Sequence, residues 1–155
     1  MVVSSSETDL RDTDLLEKAA IRDTLLRYAA GIDRRDWDLM LSCFTDDVWA
    51  IFQGNDLGRG RDKILAYINS AASGFRIVSS IHMLANMYIE LDGARATADT
   101  YGIGYLVFDA GTGPTLRTRH LHYIDDLVRS DDGEWLIAKR VLSNDWERFT
   151  PVDAL

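Results

Sequence analysis

Three histidines, His82, His120 and His122, are the side chains of this 155-residue chain best suited to move a proton near neutral pH. His82 falls in a run from Arg76 to Leu91 that reads as a strand, so Val78, Ser80, His82, Leu84, Asn86 and Tyr88 share one face. A neutral imidazole there can serve as a general base if a carboxylate fixes its tautomer and stabilises its cation. It can equally be a half-buried histidine held by a backbone partner. Asp33 is the candidate carboxylate: it sits near the end of a helical pattern, where the helix dipole disfavours an acid that has no other partner. If Asp92-Gly93 forms a two-residue hairpin loop, His82 opposes Ile103, Leu84 opposes Tyr101, and Asn86 opposes Asp99, so Tyr101 and Asp99 line the surface that carries His82. A β-bulge would shift that register by one and separate them.

His120 and His122 form an H-x-H pair that a strand would place on one face, the beginning of a metal site. A metal needs a third ligand, and none is near in sequence unless His82 lies close across the sheet. The expectation is therefore no metal, with both histidines as polar strand residues lining a cavity or an interface. Asp125 and Asp126 must point to opposite faces, and the inward one either has a raised pKa or pairs with an arginine such as Arg140. Tyr28 lies on an apolar helix stripe, where its hydroxyl needs a polar partner. There is no G-x-S-x-G, no phosphate loop and no dinucleotide fingerprint, so no cofactor is expected; Gly102-Ile103-Gly104 reads as a close-approach site in a strand.

The elements that must position these groups are legible in outline. Residues 1–12 are polar and acidic and read as a loose tail. From Thr13, a potential N-cap, Ile21, Leu25, Tyr28 and Ile32 recur at helical spacing, and Gly31 with Asp33-Arg34-Arg35 closes the helix. Asp36 can cap a short second helix from Trp37 to Phe44. A strand from Val48 to Phe52, containing Trp49, leads to a glycine-punctuated loop, Gly54 to Gly60, and a third helix covers about 61–72. Four long strands follow at 76–91, 94–108, 115–129 and 134–146, with Asp92-Gly93 and Ser130-Asp131-Asp132-Gly133 as turns. Helices first and an antiparallel meander after them make an α+β domain over 13–150, with 151–155 as a C-terminal tail.

Composition bounds the rest. The 25 acidic residues against 17 Lys and Arg give a net charge of −8, which argues against nucleic acid as a partner. The start Met1-Val2-Val3-Ser4 lacks a signal-peptide pattern, no stretch is apolar enough to span a bilayer, and the lone Cys43 excludes an internal disulfide, so a cytoplasmic setting is expected.

The stretch Tyr28-Ala29-Ala30-Gly31-Ile32-Asp33-Arg34-Arg35-Asp36-Trp37-Asp38, preceded by Ile21-Arg22-Asp23 and followed by Cys43-Phe44-Thr45-Asp46-Asp47-Val48, resembles the SnoaL-like branch of the nuclear transport factor 2-like superfamily. Gly58-Arg59-Gly60-Arg61-Asp62, Ile81-His82, Asp125-Asp126-Leu127-Val128-Arg129 and Gly133-Glu134-Trp135 continue the resemblance over nearly the whole chain past residue 13. It implies a cone: a strongly curved mixed sheet wrapped around three N-terminal helices, the cystatin-like fold, with a deep apolar pocket between them. Among its members, scytalone dehydratase, hexachlorocyclohexane dehydrochlorinase and bile-acid 7α-dehydratase are lyases with an Asp–His dyad, whose positions Asp33 and His82 match. Tyr28 and either Asp99 or Tyr101 match further participants. Two departures stand out: Gly102-Ile103-Gly104-Tyr105 lacks the second pocket histidine of the fungal dehydratase, and Gln53 stands near where ketosteroid isomerase, similar here at Tyr28 and Asp125, has its general-base Asp.

The resemblance and the residues together imply a cofactor-independent lyase acting on a small apolar cyclic molecule. His82, Asp33, Tyr28, Asp99 and Tyr101 are the catalytic candidates, and Trp49, Leu84, Asn86, Ile103, Tyr105, His120, His122 and Asp125 the pocket lining. An isomerase or polyketide-type cyclase in the same pocket, a non-catalytic small-ligand binder, and a dioxygenase small-subunit-like module remain alternatives. A homodimer or homotrimer is expected, because the open face of a curved sheet is a natural interface.

Overall fold

A computed structural model describes residues 5–111 and 113–153, with side chains from residue 12 onward. Two long helices and a short one lead into a seven-stranded sheet: α1 (Ser5–Arg34), α2 (Trp37–Ser42), β1 (Phe44–Phe52), β2 (Asn55–Arg59), α3 (Arg61–Ala71), β3 (Arg76–Asp92), β4 (Arg95–Asp109), β5 (Pro114–Arg129), β6 (Trp135–Ser143) and β7 (Glu147–Pro151). The strand order is β2-β1-β6-β5-β4-β3, with β7 pairing β5; β1 runs parallel to β6 and every other pairing is antiparallel. The result is the expected α+β cone, an open curved sheet with the helices on its concave face.

The apolar stripe of α1 is its core face: Ile21, Leu25 and Tyr28 are buried against Phe44, Val48, Trp135 and Ile137. Polar contacts pin the helix to β6, since the Thr24 hydroxyl donates to the Trp135 carbonyl (2.8 Å) and the Trp135 indole donates to Glu17 (2.6 Å). Where α1 ends decides where Asp33 points. Arg35 takes a left-handed φ of 57°, its N–H donates to the Ile32 carbonyl (3.1 Å), and the Asp36 N–H donates to the Gly31 carbonyl (2.8 Å). These two bonds are the Schellman pattern, here with arginine rather than glycine in the left-handed position. Gly31 serves another purpose: a Cβ there would lie 2.7 Å from the Met40 backbone, so only glycine lets α2 cross so closely. Asp36 caps α2 through a 3.0 Å bond from the Leu39 N–H.

Several boundaries differ from the sequence reading. The helix begins at Ser5, not Thr13, so 5–12 are helical rather than a loose tail, because extending a nucleated helix costs little; residues 1–4 lie outside the described residues. Pro151 belongs to β7 and the Val152 N–H donates to the Pro114 carbonyl, so the C-terminal segment is tied to β5; residues 154–155 lie outside the described ones. The segment read as a loop between Gly54 and Gly60 contains β2, joined to β1 by a two-residue turn in which Gln53 (φ 53°) and Gly54 (φ 79°) both take positive φ. The β3–β4 hairpin turns at Gly93-Ala94, with Asp92 paired to Arg95, and an irregularity between Leu84 and Met87 shifts the register. His82 therefore opposes Gly104, not Ile103, and Asp99 opposes Tyr88, not Asn86. The shift reverses which face of β4 meets which face of β3.

Candidate active site

The α1 terminus and β3 meet at the mouth of the concave face. Asp33 Oδ1 accepts the Ser80 hydroxyl (2.9 Å) and lies 2.7 Å from His82 Nδ1, while Asp33 Oδ2 accepts the His82 backbone N–H (2.8 Å). Arg35 adds a stitch, donating to the Ile77 carbonyl at 3.1 Å. An acid in the last helical turn thus has three donors from one strand, which answers the unfavourable dipole at that position. Burial pushes the Asp33 carboxyl up, but the ring and backbone hydrogen bonds of His82, its charge and the Ser80 hydroxyl outweigh it and hold Asp33 below the ordinary carboxylate value. Because the carboxylate can only accept, Nδ1 of the neutral ring must carry the hydrogen, and Nε2 is left with its lone pair.

His82 lines a pocket that opens to solvent, with about 930 Å³ of empty space when the open mouth is included. Its walls are apolar and aromatic: Ile32, Trp37, Tyr67 and Ile68 from the helices, Phe75 from the segment before β3, and Phe52, Ile77, Tyr105 and Leu106 from the sheet. Tyr28 and Tyr123 meet edge to face (6.1 Å) at its base. Burial foremost pushes both phenols up, against the opposing pull of the Arg140 charge, so each remains a hydrogen-bond donor at neutral pH.

Beneath the phenols lies a buried ion pair. Arg140 Nε and Nη2 each contact an Asp125 carboxylate oxygen at 2.7 Å, and the guanidinium carbon lies 3.9 Å from the Tyr28 ring centre and 4.7 Å from that of Tyr123. Burial pushes the Asp125 carboxyl up while Arg140 pulls it down; Arg140, despite its own burial, is held above its ordinary value by Asp125. The fork geometry marks a charged pair. Asp125 is thus enclosed below the pocket rather than lining it.

Of the residues expected at the site, Asp33 and His82 come together, Tyr28 and Tyr105 line the same pocket as His82, and Leu84 points inward onto the core. The others lie elsewhere. Asp99, Tyr101, Ile103, His120 and His122 are on the outer face of the sheet, because Ala96, Ala98, Thr100 and Gly102 fill the inner face of β4 and Leu121, Tyr123 and Asp125 that of β5. There His122 contacts Asp99 (2.8 Å) and stacks on Tyr101 (4.2 Å between ring centres). His82 is on the opposite face from the H-x-H pair, and among the described residues no group of three His, Cys, Asp or Glu is placed to hold a metal ion. Asn86 lies in the bulge itself and is exposed. Trp49 points outward, bonded to Asp56 (2.8 Å) and under Lys139, since its neighbours Val48 and Ala50 take the core side of β1.

Sequence reasoning missed Ser80 as a partner of Asp33, and missed Tyr123, Arg117 and Arg119 in the pocket. Strand parity could have found the last three: once Asp125 is inward, positions 117, 119, 121 and 123 must be inward too, and 120 and 122 cannot be.

An open curved sheet closing an aromatic pocket over an Asp–His pair defines a cone-fold protein with a small-molecule-sized cavity. The chain belongs to the SnoaL-like domain family of the nuclear transport factor 2-like superfamily, whose profile matches residues 13–141. The uncharacterized protein Rv2910c of Mycobacterium tuberculosis is 30% identical over 129 residues, 83% of this chain and 85% of that one. Two solved structures share the fold. A hexachlorocyclohexane dehydrochlorinase of type 2 has a TM-score of 0.75 at 20% identity, covering 92% of this chain and 93% of its own. A scytalone dehydratase-like protein from Novosphingobium aromaticivorans has 0.74 at 21%, covering 93% and 94%.

Proposed function

We propose that the protein is a cofactor-independent lyase that removes water or hydrogen halide from a small, largely apolar cyclic compound. The observation that carries this reading is the Asp33–His82 pair, with Nδ1 engaged by the carboxylate and the ring facing an apolar cavity. Nε2 would take a carbon-bound proton, the C–H electron pair would form the new double bond, and the leaving group would depart with its own electrons. Asp33 would keep the ring oriented and stabilise the imidazolium, as the acid does in other Asp–His pairs. Tyr28 and Tyr123 line the pocket, and in this reading their phenols would donate to the leaving group or to a developing oxyanion, the role first given to Asp99 and Tyr101. The fold shared with a dehydrochlorinase and a dehydratase-like protein supports the same class of chemistry.

The test is turnover of a panel of hydroxylated and halogenated cyclic compounds by wild type, His82→Gln and Asp33→Asn, with product masses recorded. Loss of the mass of water or hydrogen halide, abolished in both variants, is expected. Unchanged product mass would assign the same base to an isomerase or cyclase. Near-full activity in either variant would remove the dyad from the mechanism.

A further inference from the structure

Among the described residues, the walls of the pocket carry three arginines, Arg35, Arg117 and Arg119, and no acidic side chain, in a chain whose net charge is −8. Two of the three are occupied. Arg117 is held by Glu147 through Nε (2.8 Å) and Nη2 (2.5 Å), and Arg35 donates to the Ile77 carbonyl. Arg119 is different: its guanidinium makes no hydrogen bond or ion pair with any described residue. Burial first, and then the neighbouring charge of Arg117, pull it below its ordinary value against the weaker opposing pull of Tyr123, Tyr28 and Glu147; Glu147 pairs with Arg119 across β5 and β7, but its carboxylate is bonded to Arg117.

Its position is as informative as its lack of a partner. Arg119 pairs with Gly104, and Gly104 pairs on its other side with His82, so the three form one row across β3, β4 and β5. All three line the pocket. Two strand spacings separate the backbones of His82 and Arg119 by about 10 Å; Gly104 contributes no side chain between them, and the Leu121 side chain packs over it, 3.1 Å from where a Cβ would stand. A base at one end and a free guanidinium at the other span roughly one ring bearing one substituent.

We propose that the ligand of this pocket is a cyclic, otherwise apolar compound carrying one carboxylate, and that Arg119 receives that carboxylate while His82 faces a ring carbon. Guanidinium is the side chain whose planar fork matches a carboxylate through two parallel bonds. The proposal deepens the reading of His82 as the pocket base and rests on it for the orientation of the ligand, whereas the anion site stands on Arg119 alone.

The probes are 2-naphthoate and its neutral isostere 2-naphthamide, whose binding to wild type, Arg119→Gln, Arg119→Lys and His82→Gln is measured by intrinsic fluorescence and calorimetry, with circular dichroism to establish folding. Wild type is expected to bind the naphthoate at least tenfold more tightly than the amide. Arg119→Gln should erase that preference while leaving amide affinity within twofold, Arg119→Lys should restore part of it, and His82→Gln should keep it. Equal affinities in wild type, absence of naphthoate binding, or a preference that survives in Arg119→Gln would overturn the proposal. Because binding is read without turnover, a failed anion site and a failed dyad are seen separately: the first abolishes the naphthoate preference, the second leaves it in place while His82→Gln stays as active as wild type.

Discussion

Removing the acid of the Asp125–Arg140 pair tests how the base of the pocket is held. Both side chains are essentially inaccessible, at 0% and 2% exposure, and joined by two 2.7 Å contacts. Arg140 Nη1 is buried without a hydrogen-bond partner among the described residues, and the Tyr28 phenol beside the guanidinium is neutral, so it cannot replace the charge of the carboxylate. Asp125→Ala would leave a guanidinium enclosed by the Tyr28, Phe44 and Tyr123 rings with nothing to neutralise it. Breaking such a pair from one side costs about 3–5 kcal/mol, which at roughly 2–4 °C per kcal/mol for a chain of this size lowers Tm by about 6–20 °C. Replacing both residues by apolar ones of similar volume, as in Asp125→Leu with Arg140→Met, should recover most of that loss, because the cost lies in the unpaired charge rather than in the missing attraction. Urea unfolding followed by circular dichroism measures both. A loss below about 1 kcal/mol in Asp125→Ala, or a double variant no better than the single one, would refute the reasoning.

Three further outcomes follow from the geometry. The Asp33 carboxyl should titrate below the ordinary aspartate value in a carbon-detected NMR experiment; with its folded pKa depressed, the stability it contributes is present above the ordinary value and lost as pH falls through the depressed one, and a midpoint at or above about 3.9 would contradict the hydrogen bonding described. Gly31→Ala should cost about 1–3 kcal/mol in thermal melts, since its Cβ would collide with the Met40 backbone; an unchanged Tm would mean α2 moves aside freely. The outer face of the sheet exposes Ile81, Met83, Tyr88, Tyr101 and Ile124, which we expect a second copy to cover; light scattering should give a multiple of the 17.5 kDa chain mass, lowered by Met83→Lys, and a monomer would remove that expectation.

Much of the site was readable before the structure because its two central residues announce themselves locally. Asp33 is an acid where a helix ends, which demands a partner, and His82 sits on the strand that supplies one. The register of β3 against β4 was not readable. The bulge between Leu84 and Met87 changes which β4 residues face inward, and nothing in Leu84-Ala85-Asn86-Met87 signals it, so Asp99 and Tyr101 were assigned to the wrong face. The turn before β2 was hidden for another reason: Gln53 takes a positive φ that sequence patterns reserve for Gly, Asn or Asp. The early start of α1 shows propagation from a stable helix overriding a polar composition. Arg119 was within reach, since an inward Asp125 dictates the parity of the whole strand, yet treating His120 and His122 as cavity residues contradicted that parity.

The role of His82 as the pocket base depends on the protonation pattern of its ring. A long-range proton–nitrogen correlation spectrum of the neutral His82 imidazole, assigned with His82→Gln, reads its tautomer directly. The geometry predicts hydrogen on Nδ1, where Asp33 accepts it, and a bare Nε2 facing the pocket, with that preference lost in Asp33→Asn. Hydrogen on Nε2 in the wild-type protein would leave no lone pair toward the cavity and would contradict the assignment of His82 as the base.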